Sequence, residues 1–394
     1  MIGMTIALKG TGCVTWYESK DSFPFVGGVS GIIVSWFISP LFSAMISSVL
    51  FGFIRQFILR SVDSFNRTSF LFPLIVGGTV TLNTYYIIFK GAKGLGWDDT
   101  SMSVATAWAF GFGGVSAAIT LPLTPKIKAL VINNTTIKSG EIVLEDIEEG
   151  SELSDEPSQI SNNGACCNSL IKHVNDNLKV KIDDVISSDT VVSNIHIKAE
   201  KFDENTEEYF KYLQVFTALF SSFSHGANDV ANAVGPFAAI YMISKENEVN
   251  PESEMGSTTA ISILTFGGVG IGVGLVLYGY KIMKVIGLKL CKITASRGSC
   301  IELASAIVII TGSRLEIPLS TTHCQVGATM GVAALENPQT CAGMNGNIIT
   351  KTIVGWVVTL IFVGGTTALL TAQGAHSPEV GSSCNILNNS SFVN

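Results

Sequence analysis

The sequence predicts an all-α polytopic membrane protein, organised as inverted-topology repeats with broken or re-entrant helices. Three observations lead to this prediction: few charged residues, several long apolar windows, and segments that resemble each other across the chain. Only 14% of the residues are charged and 47% are hydrophobic, whereas about 25% of residues are charged in a typical soluble domain. The composition therefore favours a chain that lies in a lipid bilayer over a soluble domain with a large core.

Charge-free apolar windows indicate where the chain crosses the bilayer. A helix needs about 20 residues to cross the hydrocarbon. Five windows can each hold one such span: 22–54, 68–89, 100–125, 255–280 and 352–378. Four shorter apolar stretches are typical of broken helices or re-entrant hairpins: 212–228, 230–244, 303–313 and 317–335.

A long polar segment separates two membrane parts. Residues 122–208 contain 17 acidic and 8 basic residues, a composition typical of a solvated and largely disordered loop. Lys126 and Lys128 open this segment, and cytoplasmic loops carry the excess of basic residues. The expected domains are an N-terminal membrane part with an incomplete first repeat (1–121), an acidic cytoplasmic loop (122–208), a C-terminal membrane part with the second repeat (209–376) and a tail (377–394).

The internal repeat is visible around two tryptophans. The segment around Trp36 (33–42, IVSWFISPLF) resembles the segment around Trp356 (353–362, IVGWVVTLIF), and residues 3–8 resemble residues 330–335. Arginines follow the Trp36 segment, whereas Lys351 precedes the Trp356 segment, so the two copies are expected to run in opposite directions. Inverted repeats are typical of secondary transporters, whose substrate site lies between the repeats.

The first motif places an ionisable group in an apolar run. Residues 225–236 read HGANDVANAVGP, with Asp229 between Asn228 and Asn232. A carboxylate inside an apolar helix is costly, and in a membrane it indicates a substrate or ion site.

The second motif is a hydroxyl cluster beside a proline. Residues 317–327 read IPLSTTHCQVG, so Ser320, Thr321 and Thr322 are expected where a new helix begins after Pro318. Hydroxyls and free backbone N–H groups at a helix N-terminus can hold an anion. An ordinary helix N-cap explains the same residues without any ligand.

Together the two motifs suggest coupled binding of an anion and a cation. A tetrahedral oxyanion could be held by hydroxyls and amides, weakly enough to be released again. Asp229 would repel that anion by about 4 kcal/mol at about 4 Å and an effective dielectric of about 20. A hard cation such as Na⁺, bound by the Asp229 carboxylate and amide oxygens, would remove this penalty. The expected activity is therefore cotransport, with Asp229 as the candidate Na⁺ ligand.

These motifs resemble the second-half signatures of the inorganic phosphate transporter (PiT) family. The likeness rests on residues 226–233 (GANDVANA), on residues 318–324 (PLSTTHC) and on residues 35–40 (SWFISP), and it covers the chain apart from the polar loop. The resemblance implies symport of inorganic phosphate with sodium or protons by inverted repeats. It further implies that Asn228, Asp229 and Asn232 lie in the ion and phosphate site and that Ser320, Thr321 and Thr322 line the facing wall.

One departure from the family pattern leaves two functions open. The family carries the Gly-Ala-Asn-Asp motif twice, and this chain contains it once, at 226–229. The chain is expected to begin just beyond the first copy. Either it transports in a reduced form, or it is a truncated isoform that acts as a non-transporting regulatory partner or phosphate sensor.

The remaining expectations follow from the same reading. His225 and Asp229 share a helical face and with His323 could chelate a divalent metal, which is the alternative of a metal transporter or metalloenzyme. The preferred function is not enzymatic and uses no cofactor besides Na⁺ or H⁺ as coupling ion. The expected partners are phosphate, sodium and the lipid bilayer, with a possible homo-oligomer and no nucleic acid. The expected location is the plasma membrane, as a multi-pass protein.

Overall fold

The computed structural model describes residues 2–21, 25–88, 101–148, 186–187, 189–246, 257–315, 317–336 and 343–376, and the statements below concern these residues. They form a helical protein with one two-residue hairpin, in which β1 (Glu18–Ser19) pairs antiparallel with β2 (Val26–Gly27). The helices are α1 (Ile2–Lys9), α2 (Gly28–Ile54), α3 (Ser64–Ile88), α4 (Met102–Glu148), α5 (Thr190–Lys198), α6 (Glu204–Glu246), α7 (Ser257–Lys284), α8 (Ala295–Arg314), α9 (Thr321–Glu336) and α10 (Gly346–His376).

Five stretches of helix in the described part of the chain are long and apolar enough to cross a membrane. They are Gly28–Leu59, Met102–Thr136, Thr258–Leu290, Ala295–Ser313 and Gly346–Ala375. Four of them contain the predicted windows 22–54, 100–125, 255–280 and 352–378 in large part, and the window 68–89 falls in α3. The multi-pass membrane architecture is therefore confirmed.

The interruptions of the helices differ in part from the prediction. The stretches 212–228 and 230–244 were expected to be broken, but both lie in the continuous helix α6, which contains Pro236. In an apolar setting every backbone polar group needs a partner, and a continuous helix supplies one to nearly all of them. The stretch 303–313 is likewise part of the continuous α8, whereas the predicted break before 321 is present between α8 and α9.

The polar segment was expected to be a solvated loop, but its described residues are partly helical. Helix α4 continues through Pro122 and Pro125 to Glu148, so no helix ends at the predicted boundary between residues 121 and 122. Farther on, α5 begins at its N-cap Asp189, whose side chain accepts a hydrogen bond from the Val191 N–H. Such a cap satisfies one of the free amides at the start of a helix. Residues 149–185 and the tail 377–394 lie outside the described residues.

The chain divides into two compact units, and each unit contains one close glycine contact of the same kind. One unit comprises Met1–Trp16 and Ile349–Asn394, and the other comprises Tyr17–Ile348. In the first, Gly3 of α1 packs against the backbone of Gly364; in the second, Gly331 of α9 packs against the backbone of Ala44. Ala44 and Gly364 are separated by the same offset as Trp36 and Trp356. Both segments of the predicted repeat thus contain the same kind of close contact. In this contact Gly3 corresponds to Gly331, one residue beyond the predicted match with Met330.

Helix α2 packs on α9 along a seam of serines and glycines. The buried serines recur every fourth residue and so share one face of α2: Ser35, Ser39, Ser43 and Ser47. Opposite them, a Cβ atom on Gly327 would lie only 2.3 Å from the Pro40 carbonyl oxygen. Small residues allow such close approach, which is how membrane helices pack without a hydrophobic driving force between them.

A charged network joins several helix ends beyond this seam. The side chain of Arg297 is 1% exposed and pairs with Glu336, while Arg55 at the end of α2 and Arg60 both pair with Glu200. The Glu200 backbone N–H also donates to Glu336 Oε2 at 2.8 Å. Burial raises the pKa of the Glu200 carboxyl, but hydrogen bonds from Arg60 and Arg55 outweigh it, so that the pKa lies below its ordinary value. The segment that follows α5 is thereby fastened to the ends of α2, α8 and α9.

Candidate functional site

The two predicted motifs meet where the chain is interrupted between α8 and α9. Thr321, the first residue of α9, donates its hydroxyl to the carboxylate of Asp229 on α6, at 3.0 Å from Oδ1 and 3.2 Å from Oδ2. Thr321 is buried, whereas Asp229 is half-buried. The carboxylate predicted from the first motif therefore lies against the helix start predicted from the second.

Asn228 makes hydrogen bonds to both sides of the interruption between α8 and α9. Its Nδ2 donates to the Leu319 carbonyl oxygen at 3.4 Å, and its Oδ1 accepts a hydrogen bond from Ser313 Oγ at 3.2 Å. Ser320 caps α9, because its Oγ accepts the His323 backbone N–H at 3.4 Å. The N-cap interpretation of Ser320 thus holds, and it coexists with the contact between Thr321 and Asp229. Ser313 lies outside both predicted motifs.

A cavity of about 410 Å³ opens beside these residues. Asn228, Asn232, Ser313 and Pro318 contribute to its wall together with apolar side chains of α3, α6 and α8, and the described lining residues include no lysine or arginine. Asn232 is exposed, one turn beyond Asn228. Thr322 is also exposed, and in the described residues no hydrogen bond joins it to Asp229 or to the two asparagines. The structure thus brings Asn228, Asp229 and Thr321 together at the interruption. Asn232 lies on the cavity wall, Ser320 caps α9, and Thr322 lies at the margin.

The structure does not assemble the alternative divalent-metal site. His225 Nε2 lies 3.2 Å from Ser305 Oγ, and the His323 ring makes a hydrogen bond to the Trp36 backbone. Within the described ranges, no three His, Cys, Asp or Glu side chains are close enough to hold a metal ion. The proposed chelation by His225, Asp229 and His323 is therefore not supported by their positions.

A second polar cluster lies deeper between α6, α8 and α9. Glu302 accepts a hydrogen bond from Thr217 Oγ1 at 2.8 Å, and Ser305 Oγ donates to Gln325 Oε1 at 2.8 Å. Glu302 belongs to neither predicted motif. The sequence does carry a signal for it, since it is the only charged residue between Arg297 and Arg314. An isolated carboxylate of this kind in a membrane segment indicates function by default.

The fold and the site define a polytopic α-helical membrane protein with a polar site at an interruption between helices. A family model described as "Phosphate transporter family" matches residues 1–367. The chain belongs to the phosphate transporter family.

Several named proteins are similar to part of the chain. A "Sodium-dependent phosphate transporter" of Toxoplasma gondii is 36% identical over 49% of this chain and 25% of its own length. The "Phosphate-repressible phosphate permease pho-4" of Neurospora crassa is 38% identical over 46% of this chain and 30% of its own. The human "Sodium-dependent phosphate transporter 1" is 36% identical over 44% of this chain and 25% of its own. The alignments thus span under a third of these relatives' length.

A solved structure shares the fold. The structure titled "The sodium-dependent phosphate transporter" superimposes with a TM-score of 0.63 and covers 94% of this chain and 70% of its own, at 23% identity. This likeness concerns the arrangement of the helices, which is the helical membrane fold expected from the apolar windows.

Proposed function

We propose that this chain carries inorganic phosphate across the plasma membrane in symport with sodium, with protons as the alternative coupling ion. The observation that carries the proposal is the contact between Thr321 and Asp229 at the break before α9. Family membership and the names of the relatives agree with phosphate and sodium as the transported species. In this proposal the chain is not an enzyme, and the lipid bilayer is its permanent surrounding.

The phosphate would bind in the cavity beside Asn228 and Asn232. Their amides, the Ser313 hydroxyl and the first backbone N–H groups of α9 can donate hydrogen bonds, and helix N-termini favour anions. Because the described wall carries no fixed cation, the anion is held by neutral donors. Binding of that strength allows release on the other side of the membrane, as transport requires.

Sodium would bind at Asp229 and offset its repulsion of the phosphate. That repulsion is about 4 kcal/mol for unit charges about 4 Å apart at an effective dielectric of about 20. Carboxylate and carbonyl oxygens are the ligands that hard cations prefer. A proton on Asp229 would remove the same repulsion, which is why protons remain the alternative. In both cases each ion binds tightly only when the other is also bound, so the movements of cation and anion are coupled.

Uptake of radiolabelled phosphate tests the proposal. The chain is expressed in cells that lack their own phosphate transporter, its presence at the surface is measured, and uptake is recorded in sodium, in choline and at lowered pH. We expect sodium-dependent uptake. Asp229→Asn should abolish the stimulation by sodium, because the charged cation ligand is lost, whereas Ser320→Ala should mainly weaken phosphate affinity.

Each outcome of this experiment has a distinct meaning. Unchanged sodium dependence in Asp229→Asn contradicts the cation role of this residue. Uptake stimulated by low pH but not by sodium assigns the coupling to protons. If the chain reaches the surface but no uptake is measured, transport by the chain alone is refuted. Co-expression with another family member then tests the non-transporting regulatory role. Crosslinking in the same membranes tests whether the chain forms a homo-oligomer.

A further inference from the structure

Helix α2 contacts the break before α9 through one hydroxyl group. Ser35 Oγ lies 2.6 Å from the Pro318 carbonyl oxygen and 2.7 Å from the Ile32 carbonyl oxygen of its own helix. A serine hydroxyl has one proton, which the two acceptors share. Ser35 is only 1% exposed, so water does not reach this hydroxyl freely.

The Pro318 carbonyl needs such a donor because it lies outside both helices. The first hydrogen bond of α9 runs from the Cys324 N–H to the Ser320 carbonyl oxygen, so the carbonyls of Pro318 and Leu319 precede the helical pattern. The Leu319 carbonyl oxygen accepts a hydrogen bond from the Asn228 amide, and the Pro318 carbonyl oxygen accepts one from the Ser35 hydroxyl. The segment 317–320 is thus held from one side by the candidate ion site and from the other by α2.

Displacement of this segment would disturb the hydrogen bonds that join it to Asn228 and Asp229. Thr321 follows Pro318 by three residues, and its hydroxyl reaches Asp229 at 3.0 Å. Asn228 reaches Leu319 at 3.4 Å, close to the outer limit of a hydrogen bond. A small shift of the segment would therefore break the second contact and lengthen the first.

We propose that Ser35 is a positioning residue, which fixes the segment 317–320 and thereby the phosphate-binding groups at the start of α9. The inference rests on the proposed function for the identity of the ligand. Ser35 itself does not touch the ligand; it acts through the Pro318 carbonyl. Helix α2 would thus shape a binding site whose side chains come from α6 and α9.

Ser47 is a matched control for this role. It lies three turns farther along the same face of α2, it is 0% exposed, and its Oγ donates across the same seam to the Ala328 carbonyl oxygen at 2.8 Å. It also shares its proton with a carbonyl of its own helix, Ala44, at 3.0 Å. Ser47 therefore has the burial and the bonding of Ser35, but its partner lies inside α9 rather than at the break.

The experiment compares Ser35→Ala and Ser47→Ala in the full chain, purified in detergent. Binding of inorganic phosphate in sodium buffer is measured by the phosphate-dependent rise of the unfolding temperature, and uptake is measured separately in cells. Both variants lose one seam hydrogen bond, so both should unfold at a similar, lower temperature without phosphate. Ser35→Ala should also weaken phosphate affinity about three- to tenfold, the equivalent of one ordinary hydrogen bond. Ser47→Ala should change it less than about twofold.

The result separates positioning from general packing and from transport. Equal phosphate affinities in Ser35→Ala and Ser47→Ala refute the positioning role. A parent chain that binds phosphate but shows no uptake refutes the proposed transport and leaves the comparison of affinities valid. A parent chain that binds no phosphate refutes both proposals.

Discussion

Replacing Glu336 with glutamine would remove the charge that faces the buried Arg297 while keeping the size of the side chain. The Arg297 guanidinium donates to Glu336 Oε1 from Nε at 2.8 Å, to Thr294 Oγ1 at 2.9 Å and to the Glu200 carbonyl oxygen at 2.9 Å. It also lies 5.6 Å from the ring centre of Phe51. The arginine is therefore held in place with few routes to solvent, so loss of its countercharge cannot be compensated by hydration.

The expected cost of Glu336→Gln follows from this burial. Breaking a buried ion pair from one side costs about 3–5 kcal/mol, and we expect the lower end because glutamine can still accept one hydrogen bond. At about 1–2 °C per kcal/mol for a large chain, the unfolding temperature should fall by about 3–6 °C. The measurement is thermal unfolding of the purified chain in detergent at neutral pH, followed by loss of the monodisperse peak.

The control is Glu208→Gln, the same substitution in a more open ion pair. The side chain of Lys211 is 52% exposed and that of Glu208 is 14% exposed. Because water still hydrates the lysine after the substitution, the expected loss is about 1 kcal/mol. Its unfolding temperature should stay within about 2 °C of the parent. If the unfolding temperature of Glu336→Gln is no lower than that of Glu208→Gln, the buried ion pair does not contribute as proposed. Arg297 would then be hydrated or paired with another group.

Two further predictions concern pH and helix packing. Because the folded-state pKa of Glu200 is lowered by Arg60 and Arg55, its contribution to stability is present above the unfolded-state pKa and is lost as pH falls through the folded-state pKa. Unfolding temperatures of the parent and Glu200→Gln should thus differ at pH 7 and converge at acidic pH; a constant difference would contradict this. Gly331→Ala would place a Cβ 2.2 Å from the Ala44 carbonyl oxygen, so we expect a destabilisation of about 1–3 kcal/mol. Gly272→Ala, with no atom within 4 Å, should not destabilise, and an equal effect of both alanines would refute close packing of α2 on α9.

Local patterns were sufficient to predict the position of the two motifs and the start of α9. Asp229 is recognisable because a carboxylate in an apolar stretch must have a compensating role. Pro318 predicts an interruption because proline cannot continue a helix, and the hydroxyls after it predict a helix start because serine and threonine are favoured as N-caps. These arguments use neighbours in the sequence, and for Ser320 and Thr321 they agree with the structure. The same local reasoning was wrong for α6, where the stretches 212–228 and 230–244 were expected to be broken. The structure has one continuous helix there, in which nearly every backbone polar group has a partner.

The sequence by itself determined the membrane class, the two motifs and the family resemblance, because composition and short spacings carry that information. The tertiary structure alone decided which side chains meet. The hydrogen bond from Thr321 to Asp229 joins residues 92 positions apart, and that from Ser35 to Pro318 joins residues 283 positions apart. Such contacts depend on how close two helices approach, which Gly327 and Gly331 permit on α9. A single sequence shows that these glycines are small, but only the packed helices show which carbonyl each one faces.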